Sequence, residues 1–251
     1  MAQFDSRYSQ PTTVGQSGVD EGLRAYMLGV YNYMALGVAL TGVVAYLVFS
    51  MAVTTDPATG AKALTSLGQT LYASPLRWAL ILAPIAFVFF FAFRANSMSV
   101  PAAQTSFWIY CGLVGASLSI LLLAFTGSSV ANVFFITAAA FASLSIWGYT
   151  TKKDISGWGS FLFMGLIGVI LAIVVNIFLQ SPAIAFAISV IGVLVFAGLT
   201  AYDTQRIKDE YYLLAGNSEA VAKASIFGAL SLYQNFVGMF VHLLQLFGER
   251  E

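Results

Sequence analysis

The chain is 251 residues long, 59% hydrophobic and 9% charged, with a mean hydropathy of +0.84, which excludes an ordinary soluble protein and places it in a membrane. Eleven Lys and Arg balance eleven Asp and Glu, so no net field points to nucleic acid or to a substrate captured by charge. The single cysteine, Cys111, excludes an internal disulfide framework and a cysteine-based metal cluster and reads as a packing residue.

Residues 1–24 are polar, lack the layout of a cleavable signal peptide and read as a mobile cytoplasmic tail before one transmembrane helical domain, 25–251. Crossing the hydrocarbon layer takes about 20 mainly apolar residues. Seven stretches approach that length: Ala25–Val53, Leu76–Phe93, Gln104–Phe125, Val130–Tyr149, Ser160–Gln180, Ala183–Tyr202 and Ser225–Phe247. The links Thr126–Ser129 and Ser181–Pro182 are short enough to force antiparallel neighbours, whereas Thr54–Ser74 and Asp203–Ala224 have room for structure of their own. A backbone in lipid must satisfy its own hydrogen bonds, and no run of short alternating strands is present. The expected fold is therefore an all-α integral membrane protein, a seven-helix bundle. Small residues within the spans, as in Gly112–Ser119, allow close helix packing.

Alternate loops collect Arg7, Arg24, Arg94, Lys152, Lys153, Arg206, Lys208 and Lys223 on one side, against Lys62 and Arg77 on the other. This bias puts the N-terminus in the cytoplasm. The last segment either crosses, leaving the C-terminus outside, or turns back.

Asp203 closes the sixth apolar run, and no Gly or Pro interrupts the chain before Gly216, so the helix continues past it. Arg206, three residues on, is placed for a helical ion pair. The carboxylate is either solvated at the interface or turned into the bundle, where intramembrane charges usually find partners. Arg94, at the end of the second span, is the best distant partner, while Arg77 snorkels to the opposite face. In the last segment Ser231, Asn235, Gly238, His242 and Gln245 recur every three or four residues, making one polar or small helix face roughly 21 Å long. Such a face is either hydrogen-bonded glue between helices or the wall of a polar path. His242 either titrates near neutrality as a sensor or is neutral and hydrogen-bonded.

Enzyme chemistry is not expected. One histidine and one cysteine furnish no usual zinc site, and Asp203 has no second intramembrane acid with which to share a proton. The string GQSG, Gly15–Gly18, lies in the polar tail and not on a span, and no phosphate-cradling loop occurs.

The strings SPLRW (Ser74–Trp78), Phe89–Ser99, AYDTQRIK (Ala201–Lys208) and ALSLYQNFVGMF (Ala229–Phe240) together make the chain from about Ala25 to Phe247 resemble the Bax inhibitor family of membrane proteins, in its bacterial plasma-membrane branch. The resemblance implies a seven-helix bundle with a central, possibly re-entrant, C-terminal helix and a passive, pH-modulated calcium leak. It implies no cofactor, with calcium as the transported ion. As an alternative it implies a non-conducting regulator that binds membrane partners such as a quality-control protease. In the family two aspartates on the sixth and seventh spans pair and an arginine of the second span engages them. Asp203 matches the first aspartate and Arg94 the arginine, but Asn235 holds the second aspartate's place. Two adjacent carboxylates cannot easily both ionise, which makes a proton switch; an Asp–Asn pair lacks that repulsion, and Asp203 alone would be a weak calcium transit ligand. By the span boundaries Asn235 sits mid-membrane and Asp203 near a surface, so they meet only if helix tilt or a late start to the seventh helix brings them level.

Overall fold

The computed structural model describes residues 14–55, 62–94 and 97–250. The expected tail falls outside the described residues as far as Thr13, and from Val14 the chain is already helical. Helix α1 spans Val14–Ala52. Strands β1, Val53–Thr55, and β2, Lys62–Leu64, form an antiparallel pair in the register Val53 to Leu64. Thr65 then caps α2, Ser66–Gly68, its hydroxyl accepting the Gly68 N–H at 3.1 Å. That turn runs into a π-helical stretch, Gln69–Ala73, so the long first link does carry its own structure.

Helix α3, Leu76–Arg94, meets the preceding helical stretch at a bend of 63°. The second span is thus part of a broken pair. Helix α4, Val100–Leu118, opens on a Ser99 cap with Pro101 in its first turn, where a missing N–H costs nothing. A short α5, Leu121–Ala124, completes that crossing. Helices α6, Gly127–Thr150, and α7, Trp158–Leu179, follow. Helix α8, Pro182–Leu214, starts on a Ser181 cap, and α9, Ser218–Phe247, starts on an Asn217 cap. Between them Gly216 adopts φ +113°, a left-handed turn that suits glycine. Most of the expected link Asp203–Ala224 is therefore helix. Both helices project beyond their apolar runs.

Among the described residues six helices are long and apolar enough to cross a membrane, or seven with the bent pair as one span. Helix α9 is 56% buried over its apolar window, against 11–33% for the other five, which makes it the central helix. It packs against α8, α1, α6 and α4, while α7 packs chiefly on α8 at the periphery. Apolar attraction does not favour helix over lipid, so close packing and hydrogen bonds hold the bundle. Tyr233 of α9 is wholly buried, its hydroxyl 2.6 Å from that of Thr41 in α1. Thr41 also donates to the carbonyl of Cys111, itself fully buried.

The re-entrant alternative for the last helix is not what the chain does. Helix α9 is unbroken, and beyond it Thr126 N–H donates to the Glu249 carbonyl at 3.0 Å while Glu249 N–H donates to the Ser129 hydroxyl at 3.0 Å. These bonds hold the C-terminus beside the α5–α6 link, at the end of the bundle opposite Ser218. We call the two ends the Arg24 end and the Arg250 end.

Candidate functional site

Helices α8 and α9 form an antiparallel hairpin, and the polar face foreseen on α9 turns toward α8 along its length. From the Arg24 end, Arg206 donates to the Ser231 hydroxyl at 3.2 Å. One level in, Asn235 Nδ2 donates to Asp203 Oδ2 at 2.7 Å. Deeper, the Phe196 ring occupies the space a side chain on Gly238 would need, and the His242 ring occupies that beside Gly192. Finally the Ser189 hydroxyl donates to Gln245 Oε1 at 2.9 Å. Each glycine stands where an aromatic ring of the facing helix crosses the seam, so the α9 stripe has a matching stripe on α8.

Asp203 is the centre of this seam. It is 8% exposed and lies within α8 between Thr200 and Thr204, both fully buried. An ionised carboxylate offers only acceptors; Asn235 supplies a donor to one oxygen and Arg206 Nη2 lies 2.8 Å from the other. The expected cation of the second span does not take part. Arg94 is exposed at the end of α3 and forms no ion pair among the described residues. The physical reason is placement: α3 packs chiefly on α4, while Arg206 sits one helical turn from the acid on the same helix.

The arginine covers the acid. Its side chain is 47% exposed against 11% for that of Asp203, so the guanidinium bridges water and the buried oxygen. Outside it lies a cavity of about 430 Å³ lined by Ser156, Tyr202, Gln205, Arg206, Asp209 and Glu210. At the other end of the seam a 460 Å³ cleft is bordered by Asn176, Gln245 and Arg250. Between the two ends Phe196 stacks on His242 with centroids 5.8 Å apart. His242 is 5% exposed and its Nδ1 has no hydrogen-bond partner among the described residues.

Several polar groups beside the seam were not foreseen. Thr204 donates to the Thr200 carbonyl at 2.8 Å and to the Ser145 hydroxyl of α6 at 3.4 Å. Lys208 Nζ donates to the Tyr149 carbonyl at 3.0 Å, and the Gln205 amide receives Ile155 N–H and donates to the Lys153 carbonyl, both at 2.9 Å. Thr200, Thr204 and Lys208 recur every four residues, a one-face signal that the sequence carried. No group of three or more His, Cys, Asp or Glu is placed to hold a metal ion among the described residues.

The family described as Bax1-I, Inhibitor of apoptosis-promoting Bax1, matches residues 23–251. The chain is similar to an uncharacterized protein of Caulobacter vibrioides, 44% identical over 99% of this chain and 98% of the relative. It is 45% identical to an uncharacterized protein of Rickettsia prowazekii over 95% of each chain. It is 39% identical to the inner membrane protein YbhL of Escherichia coli over 91% of this chain and 93% of that one.

Proposed function

The chain belongs to the Bax1-I family, and from that premise we propose that it is a passive cation leak of the bacterial inner membrane, with calcium as the ion and the α8–α9 seam as the route. Similarity to an inner membrane protein supports the location. The excess of Lys and Arg in the loops at the Arg24 end supports a cytoplasmic location for that end.

The observation that carries the reading is the carboxylate of Asp203, buried in the bundle with Arg206 and Asn235 on its oxygens. Intramembrane acids are costly and mark ion paths when they face the protein interior. The Arg206 guanidinium stands where a passing cation would stand, so the protein carries a tethered cation as its own plug. A metal ion entering from the acidic vestibule of Asp209 and Glu210 would displace it and take oxygen from Asp203 and, after an amide turn, from Asn235. Calcium prefers six to eight oxygen ligands; a site with one carboxylate binds weakly and releases readily. Farther in, the Phe196 ring against Gly238 and His242 is the apolar closure of the resting state.

Purified protein in liposomes tests this. Calcium flux above that of empty vesicles, altered by Asp203→Asn, is the expected result. No flux at any pH or voltage removes the leak and leaves a non-conducting regulator that binds membrane partners such as a quality-control protease.

A further inference from the structure

Helices α1 and α6 both pack on α9, and between them runs a lipid-facing groove. Toward the Arg24 end it widens to a cavity of about 510 Å³. Its walls are one face of α1, from Arg24 to Tyr31, and one face of α6, from Phe141 to Tyr149. The floor is apolar and aromatic, but the mouth is not. Arg24 lines it, exposed and without an ion-pair partner among the described residues. Lys208 stands beside it, with Nζ 5.1 Å from the centroid of the Tyr149 ring. Lys152 and Lys153 lie just past the Thr151 cap of α6, both exposed.

We infer that this groove is a binding site for an anionic phospholipid, with one acyl chain lying between α1 and α6 and the phosphate held at the mouth by Arg24 and Lys208. The shape selects the chain. An α-helix about 10 Å across occupies roughly 400 Å³ per turn, so the cavity would take about one turn of a partner helix, too little to seat it. A mainly apolar slot open to the bilayer suits an acyl chain. The charge selects the headgroup, because juxtamembrane cations hold acidic leaflet lipids. Opposing charge is present: Glu21 lies one turn before Arg24, and Asp154 follows the two lysines. Hydrogen bonds from Ser156, from its hydroxyl and its backbone N–H, keep the Asp154 carboxyl below the usual carboxylate range. Neither acid lines the groove.

The site is independent of any ion conduction, and its test needs none. Delipidated protein is reloaded with phosphatidylglycerol or phosphatidylcholine, and retained lipid is read by native mass spectrometry alongside the thermal shift. Phosphatidylglycerol should be retained preferentially, and each of Arg24→Gln and Lys208→Gln should weaken it roughly five-fold, the contribution of one juxtamembrane cation. Ala142→Trp, at an exposed position on the groove wall, should expel both lipids while leaving the lipid-free melting temperature in place. Equal retention of the two lipids, or retention unchanged in Ala142→Trp, overturns the site. So does a photo-crosslinker at position 142 that captures a polypeptide and not a lipid.

Discussion

Truncating Asn235 isolates the interaction at the heart of the seam. Asn235 is 4% exposed and donates to Asp203 at 2.7 Å, so Asn235→Ala removes a donor from a buried carboxylate that water cannot easily reach. A neutral hydrogen bond between membrane helices contributes only about 0.6 kcal/mol on average. A bond to a charged acceptor is stronger, about 1.5–3 kcal/mol. The remaining ion pair to Arg206 stays in place, and the half-exposed guanidinium can shift toward the vacated side, which pulls the expectation to the lower part of that range. We expect a coupling of about 1.5–2 kcal/mol. The assay is a double-mutant cycle of Asp203→Ala, Asn235→Ala and the double variant, followed by reversible unfolding in mixed detergent micelles. Arg206 is common to every corner, so its contribution largely cancels. Additivity within about 0.5 kcal/mol would refute the reasoning, since it would mean that water or another group already satisfies that oxygen.

If Arg206 is the plug, Arg206→Gln should raise calcium flux into liposomes several-fold and Ser231→Ala, which removes its anchor at 3.2 Å, should raise it less; equal flux in all three proteins removes the plug. Asn235→Asp sets a second carboxylate against Asp203, and because the two cannot easily both ionise the flux should acquire or strengthen a pH dependence between about pH 6 and 8 relative to the parent. A side chain on Gly148 would strike the backbone of Ala201, so Gly148→Leu should force α6 off α8 and cost about 1–3 kcal/mol, read as a lower melting temperature. Tyr233→Phe removes only the hydroxyl bonded to Thr41 at 2.6 Å and should destabilise by about 1 kcal/mol with flux unchanged.

The apolar spans were legible because lipid demands long uninterrupted runs, and each of the seven segments finds its helix or helix pair. Their polar extensions were harder to read. Hydropathy ends α8 at Tyr202, yet the absence of Gly and Pro up to Gly216 already implied the helix that reaches Leu214. That extension answers the difficulty of level: it places Asp203 well inside a helix, where the long α9 can meet it through Asn235. The face of α9 was legible from its period, but a period does not name its neighbour, so glue and pathway could not be separated. The missing half of the signal lay on α8, where Ser189, Gly192, Phe196 and Thr200 recur every three or four residues.

The cation at Asp203 shows what a charge inventory cannot give. Sequence offered Arg94 by its place at the end of the second span and by resemblance, and Arg206 by spacing, and only the order of helices in space distinguishes them. With α3 packed chiefly on α4, Arg94 is not paired with the acid, whereas Arg206 is held one turn away by the helix that carries it. An acid neutralised from its own helix can be uncovered by a rotation of one side chain. Its stability then depends on the Ser231 anchor and the vestibule acids, Asp209 and Glu210, and not on a domain-scale movement. On the proposed leak, such a closure would respond to the local concentration of competing cations at the Arg24 end, because those cations and the guanidinium would contend for the same carboxylate oxygen.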